Sequence, residues 1–181
     1  MKPRQYSSEG VLIAKRSHSE ADKIFVILAK KYGKIRLLAK GVKKLKSRKR
    51  GHLEVFSQVR FSAVNLPGID LITEVELIND FPSVRSNLSK MTLGFYFCEV
   101  VNKITREGEK HDDIYQLLLK YFKELEKTKK LKLLRLEFIF NLLVLLGYWP
   151  QDKKMIEADQ VLDQVVERRI NSFQIGKKLL L

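Results

Sequence analysis

The chain has 181 residues, 45% of them apolar, so it is long and apolar enough to fold into one large domain or two small ones rather than stay disordered. Its formal charge is +14 and it has one cysteine, Cys98, which excludes an intramolecular disulfide and a zinc site built on cysteines and fits a reducing, cytoplasmic setting. The opening MKPRQYSSEGVLIAKRS lacks the apolar run and small-residue cleavage site of a secretory signal, and the most apolar stretch, Leu131 to Leu146, is short of the ~20 residues that span a bilayer.

The first 80 residues read as β-structure. Tyr6, Val11 and Ile13 fit a first strand. Ile24, Val26 and Leu28 alternate with Phe25, Ile27 and Ala29 in a second strand that is apolar on both faces. Gly33 can take the positive φ of a tight hairpin, after which Ile35, Leu37 and Ala39 return as a third strand. Leu53 to Val64 alternates over part of its length and is expected to be a fourth strand, with Phe61 in the core. Asn65-Leu66-Pro67-Gly68 turns the chain into a fifth, Leu71 to Ile78. Five strands with a longer third connection outline a small Greek-key barrel of the OB type; a sandwich of similar size competes with it.

After Asp80-Phe81-Pro82 the apolar period changes to that of helices. Val84, Leu88, Met91, Phe95 and Cys98 predict one buried face, with Cys98 as a small core residue. Gly108 is expected to end that helix, and Asp112 or Asp113 to cap the next, which carries Ile114, Leu117, Leu118, Tyr121 and Phe122. Leu131–Leu146 reads as a buried core helix closed by Gly147-Tyr148-Trp149-Pro150, and a last helical part starts near Glu157. The expectation is an α+β chain: a five-stranded OB-fold-like barrel over 1–80, then an α-helical domain over 81–181.

The charge is uneven. Residues 1–80 hold 17 basic and 8 acidic residues, whereas 81–181 hold 18 and 13. Within the first half, KKYGKIRLLAKGVKKLKSRKR from Lys30 to Arg50 carries eleven cations and no acid: Lys30, Lys31, Lys34, Arg36, Lys40, Lys43, Lys44, Lys46, Arg48, Lys49 and Arg50. Like charges this dense repel one another unless a polyanion neutralises them, and nucleic acid does so with release of counterions. Tyr32, inside the run, offers a ring on which a base can stack; Phe56 flanks the run's far side.

No catalytic signature stands out. His18, His52 and His111 lack partners at metal-ligand spacing, Asp112 and Asp113 are too close in sequence to share a helix face, and no glycine-rich phosphate loop or serine elbow occurs. The chain therefore reads as a binding protein and not an enzyme, although active sites assembled from distant residues escape such a search.

Several strings, taken in order, resemble the RecO family of recombination mediators and DNA repair proteins. They are Glu20-Ala21-Asp22-Lys23, Tyr32-Gly33-Lys34-Ile35-Arg36, Ala39-Lys40-Gly41-Val42, Lys46-Ser47-Arg48 and Gly51-His52-Leu53-Glu54-Val55-Phe56-Ser57, followed by Phe81-Pro82 and Leu145-Leu146-Gly147-Tyr148. The resemblance spans most of residues 8–150. It implies an N-terminal OB-fold with a helical domain, binding of single- and double-stranded DNA, annealing of complementary strands, and partnership with RecR and the single-stranded DNA-binding protein in loading the RecA recombinase. It also implies a cytoplasmic, nucleoid-associated protein.

The sequence departs from the family in two places. Many relatives carry a four-cysteine zinc module after the Leu-Gly-Tyr string, where this chain runs to Gln151-Asp152-Lys153-Lys154, so no zinc or other cofactor is implied and the module is expected to be reduced. Relatives often place Arg just before the Phe of the apolar helix, beside the pocket for the acidic tail of the single-stranded DNA-binding protein. Here Leu136-Glu137 precedes Phe138, and the nearest cations are Lys132 and Arg135, so a retained tail site falls to Lys132, Arg135 and Phe138. The alternatives to a DNA mediator are an RNA-binding OB module and a nucleic-acid-processing enzyme with a dispersed site.

Overall fold

A computed structural model of the protein describes residues 3–42 and 53–166. They form two compact units. The first comprises the residues up to Asp80 together with Thr105–Tyr115; the second comprises Phe81–Ile104 and the residues from Gln116 on.

The first unit is a closed five-stranded barrel in the order β1-β2-β3-β5-β4, with β1 Gln5–Ser17, β2 Lys23–Ala29, β3 Gly33–Ala39, β4 Gln58–Val64 and β5 Asp70–Asn79. Neighbours run antiparallel except β3 and β5, which close the barrel in parallel over Leu37–Asp70 and Leu38–Leu71. This is the OB-like architecture the sequence predicts. β1 is long because it serves two partners. Its first half pairs with β4 and its second with β2, and a bulge between Leu12 and Ala14 bends it from one to the other.

One side chain per pair of strand residues points inward, and that row is apolar: Phe25, Ile27 and Ala29 from β2, Ile35, Leu37 and Ala39 from β3, Val59, Phe61 and Ala63 from β4. Burying each large member contributes about 1.5–3 kcal/mol. Ile24 and Leu28, on the outer row of β2, are buried too, as a strand apolar on both faces requires. At the closure the Tyr6 hydroxyl of β1 donates to the buried Asp70 carboxylate at 2.5 Å, so three strands are tied at one point.

The fourth strand is shorter than its alternation predicts. Leu53–Ser57 is not strand: Phe56 takes φ 57°, and Leu53, Val55, Phe56 and Ser57 are all buried. The Phe56 amide donates to the Leu12 carbonyl at 2.7 Å and the Leu12 amide to the Ser57 carbonyl at 3.0 Å, so this segment fills the gap where β1 bends away from β4.

The second unit holds α1 Pro82–Arg85, α2 Leu88–Ile104, most of α3 Asp112–Lys127, α4 Leu131–Leu145 and α5 Ala158–Val165. The face predicted from Val84 to Cys98 does not exist as one helix. Asn87 starts a new one, its side-chain oxygen accepting from the Lys90 amide at 3.0 Å and its carbonyl from Met91 at 2.8 Å. The phase is reset: Leu88 and Phe95 are 62% and 41% exposed, and the buried side is Leu93, Tyr96, Phe97, Cys98, Val100 and Val101. The core is aromatic, with Phe97 against Phe138 at 4.1 Å between ring centres and Tyr121 edge-on to Phe138 at 5.2 Å. Gly147, at φ 75°, follows the end of α4. The predicted last helix is α5; what the sequence places after Val166 lies outside the described residues.

Candidate nucleic-acid interface

The basic run is mounted on a hairpin. β2 and β3 pair through Lys23–Ala39 to Ala29–Gly33, so the turn Lys30-Lys31-Tyr32 stands at one end and Lys40 at the other. Seven strand residues at ~3.3 Å each put those ends about 20 Å apart. Among the described residues of the run, exposed lysines therefore stand at both ends of the hairpin, Lys30 and Lys31 at one and Lys40 at the other.

At the turn, Lys30 and Lys31 are exposed, and the backbone is pinned to β1. The Lys30 amide donates to the Glu9 carbonyl at 2.9 Å and the Lys31 amide to the Ser8 hydroxyl at 3.2 Å. Both ammonium groups thus project from a fixed frame. Tyr32 is half-buried and meets Tyr6 edge-on at 4.7 Å, which leaves part of its ring for stacking. Phe56 and Phe61 are wholly core.

Between the ends, two expected DNA contacts are committed elsewhere. Lys34 is 9% exposed, and its ammonium donates to the Thr105 carbonyl. It is corrected from a surface cation to a buried anchor, and burial pushes its pKa below the ordinary value. Arg36 is exposed, but its Nε lies 2.6 Å from the Glu107 carboxylate. The reason is the segment after α2, which runs alongside β3: Lys34 and Glu107 form a parallel bridge, and the Gly108 amide donates to the Lys34 carbonyl at 3.0 Å.

At the other end, Lys40 is exposed; Lys43, Lys44, Lys46, Arg48, Lys49 and Arg50, with His52, lie outside the described residues. The backbone after β3 is clasped. An Asp22 side-chain oxygen accepts from the Gly41 amide at 2.7 Å, Gly41 being at φ 66°, and the Asp22 amide donates to the Ser19 hydroxyl at 3.2 Å. The Gly41 hydrogen bond, before the other contacts, holds the Asp22 carboxyl below its ordinary pKa. The strings Glu20-Ala21-Asp22 and Lys40-Gly41, separate in sequence, are here joined by one hydrogen bond just past the end of β3.

Pairing also brings in cations that lie outside the run. Lys23 pairs with Ala39, next to Lys40, and Arg16, exposed at the end of β1, pairs with Ile24, itself opposite Leu38. Their signal was the Lys15-Arg16 and Lys23 flanks of the first turn, which acquire meaning only once the hairpin register is known. Lys15 is held by Glu54, and Arg60 lies between Glu9 at 3.3 Å and Glu76 at 2.9 Å, so these two cations already have carboxylate partners.

In the second unit the three residues expected to hold an acidic tail separate. Phe138 is fully buried in the aromatic core. Arg135 is 14% exposed and grips Asp159 of α5 with two nitrogens, at 2.5 and 3.1 Å, while its guanidinium carbon lies 5.7 Å from the Tyr96 ring centre. Phe138 thus lies in the core and Arg135 fastens α4 to α5; of the three, only Lys132 is exposed. Among the described residues no three His, Cys, Asp or Glu gather as a metal site, and no helix is long and apolar enough to cross a membrane.

Two family models match most of the chain: recombination protein O N terminal over residues 1–81, and recombination protein O C terminal over residues 85–172. Among curated proteins, the chain is 32% identical over 161 residues to a DNA repair protein RecO of Dehalococcoides mccartyi, covering 89% of this chain and 64% of that protein. It is 31% identical over 148 residues to the RecO of Desulforudis audaxviator, covering 82% and 59%, and 28% identical over 142 residues to that of Listeria monocytogenes, covering 78% and 56%. The chain thus spans less than two thirds of the length of these relatives.

Proposed function

The chain belongs to the recombination protein O family, a family of DNA repair proteins, and on that premise we propose that it is a non-enzymatic DNA-binding recombination mediator. In this reading it holds single- and double-stranded DNA, anneals complementary strands, and helps load the RecA recombinase on protein-coated single strands. Its partners are RecR and the single-stranded DNA-binding protein, and it works on the nucleoid in the cytoplasm.

The observation that carries the reading is the acid-free run of eleven cations in the sequence, of which Lys30, Lys31 and Lys40 are exposed at the two ends of one hairpin of a closed OB-like barrel. Annealing needs phosphates of two strands neutralised at once, because their mutual repulsion is the barrier to pairing. Two cationic ends about 20 Å apart on one rigid hairpin meet that need. Lys30, Lys31, Lys40 and the cations from Lys43 to Arg50 take phosphates. The open part of the Tyr32 ring takes a base. Lys132 offers the cation for an acidic partner tail.

Strand annealing tests the proposal. With complementary oligonucleotides, bare and coated by the cognate single-stranded DNA-binding protein, the protein should accelerate pairing in both cases without nucleotide or divalent cation. Failure to accelerate pairing of bare strands would overturn it.

A further inference from the structure

We infer that Glu107 is an internal competitor of nucleic acid: its carboxylate occupies the Arg36 guanidinium in the free protein, and a phosphodiester displaces it. The inference rests on the DNA-binding reading of the barrel and adds a device to it.

The device follows from the topology. β3 meets β5 only at Leu37 and Leu38, so beyond them the β3 edge opposite β2 is open over Gly33–Arg36. The segment Thr105–Glu109 takes that edge, through the Lys34–Glu107 bridge and the Gly108 amide on the Lys34 carbonyl. It thereby brings a carboxylate onto the middle of the hairpin whose two ends carry the cations.

Two kinds of contact hold this segment, and they differ in how easily they exchange. The anchor is buried: the Lys34 ammonium on the Thr105 carbonyl, and the backbone bond from Gly108. The Arg36–Glu107 pair is not, since the two side chains are 46% and 47% exposed. Water and salt reach it, and exposed ion pairs are held weakly. The carboxylate can therefore swing away while the segment stays seated. A guanidinium binds phosphate and carboxylate with the same N–H donors, so the replacement costs Arg36 no hydrogen bond. Nucleic acid that spans from the Lys30-Lys31 turn to Lys40 passes beside Arg36 and gains one more contact by expelling Glu107.

The test is single-strand binding by fluorescence anisotropy over a salt series, with wild type, Glu107→Gln, Arg36→Gln, the double variant, and Glu74→Gln as a charge-matched control on the exposed side of β5. Wild type and Glu107→Gln make the same phosphate contact through Arg36, so their slopes of log K against log salt should agree, while the variant, spared the cost of breaking an exposed ion pair, should bind up to about fivefold tighter at 0.1 M salt. The gain should vanish in the Arg36→Gln background, and Glu74→Gln should gain less. An equal gain for Glu107→Gln and Glu74→Gln, or a gain that survives Arg36→Gln, would overturn the inference while leaving DNA binding intact. If wild type and all variants bind no DNA at any salt, the functional reading falls and the inference with it. A thermal transition for Glu107→Gln matching that of wild type checks that the segment stays seated.

Discussion

The carbonyl oxygen of Glu109 stands 1.6 Å from where a Cβ on Gly33 would lie. Gly33 is also at φ 66°, which side chains disfavour. The hairpin turn and the segment after α2 are therefore packed as closely as a missing side chain allows, and that closeness brings Glu107 to Arg36. Gly33→Ala should destabilise the protein by at least about 2 kcal/mol: ~1–2 from the left-handed backbone, and more from pushing the Glu109 carbonyl aside. Urea denaturation measures it; a loss below about 0.5 kcal/mol, the scale of an ordinary surface change, would contradict the packing.

Tyr6 sets an alkaline limit on the barrel. Burial, then its bond to Asp70, raises its pKa above the ordinary 10.0. Below pH 10 the hydroxyl is neutral in both states and its contribution is fully present. Above pH 10 the unfolded chain releases the proton and the folded chain keeps it, so stability falls as pH rises further. Tyr6→Phe should cost about 1–3 kcal/mol at pH 7 through loss of the donor to Asp70. It should also lose less stability than wild type between pH 9 and pH 11. Tyr121, pushed up to about 12 by burial, adds a similar decline that this variant retains.

Arg135 and Lys132 lie three residues apart on α4 yet should respond differently. Arg135→Met removes the two-nitrogen grip on Asp159 and should cost about 2 kcal/mol, the scale of a hydrogen bond to a charged group. Lys132→Glu should leave stability nearly unchanged and weaken any binding of an acidic tail peptide. Calorimetry with the tail of the cognate single-stranded DNA-binding protein, beside thermal melts of both variants, separates the roles. Tail binding unaffected by Lys132→Glu would place that contact elsewhere.

The barrel was legible because β3 and β5 alternate over most of their length, because β2 is a short run apolar on both faces, and because Gly33 and Asn65–Gly68 mark the turns. Leu53–Ser57 misleads because its composition alternates while its backbone does not: Phe56 adopts a left-handed conformation to bridge to Leu12. The α2 face misleads because Asn87 resets the helical phase, and in a helix apolar on most sides a single interrupted row fits by chance. The site was legible as charge but not as geometry. Nothing near Lys34 or Arg36 in sequence announces that Thr105 and Glu107, some seventy residues on, will take them. Nor does an apolar helix reveal that Arg135 will turn to Asp159. Both are long-range pairings, set by tertiary packing and not by local pattern.

The central claim is that the cations between Lys30 and Arg50 bind nucleic-acid phosphates, and the salt dependence of single-strand binding tests it most directly. About five phosphate contacts give a slope of log K against log salt near −3.5, from roughly −0.7 per contact. Reversal of Lys43, Lys44, Lys46 and Arg48 to Glu should abolish binding and leave the thermal transition nearly unchanged. A wild-type slope near zero, or full-strength binding by the reversed variant, would contradict the account.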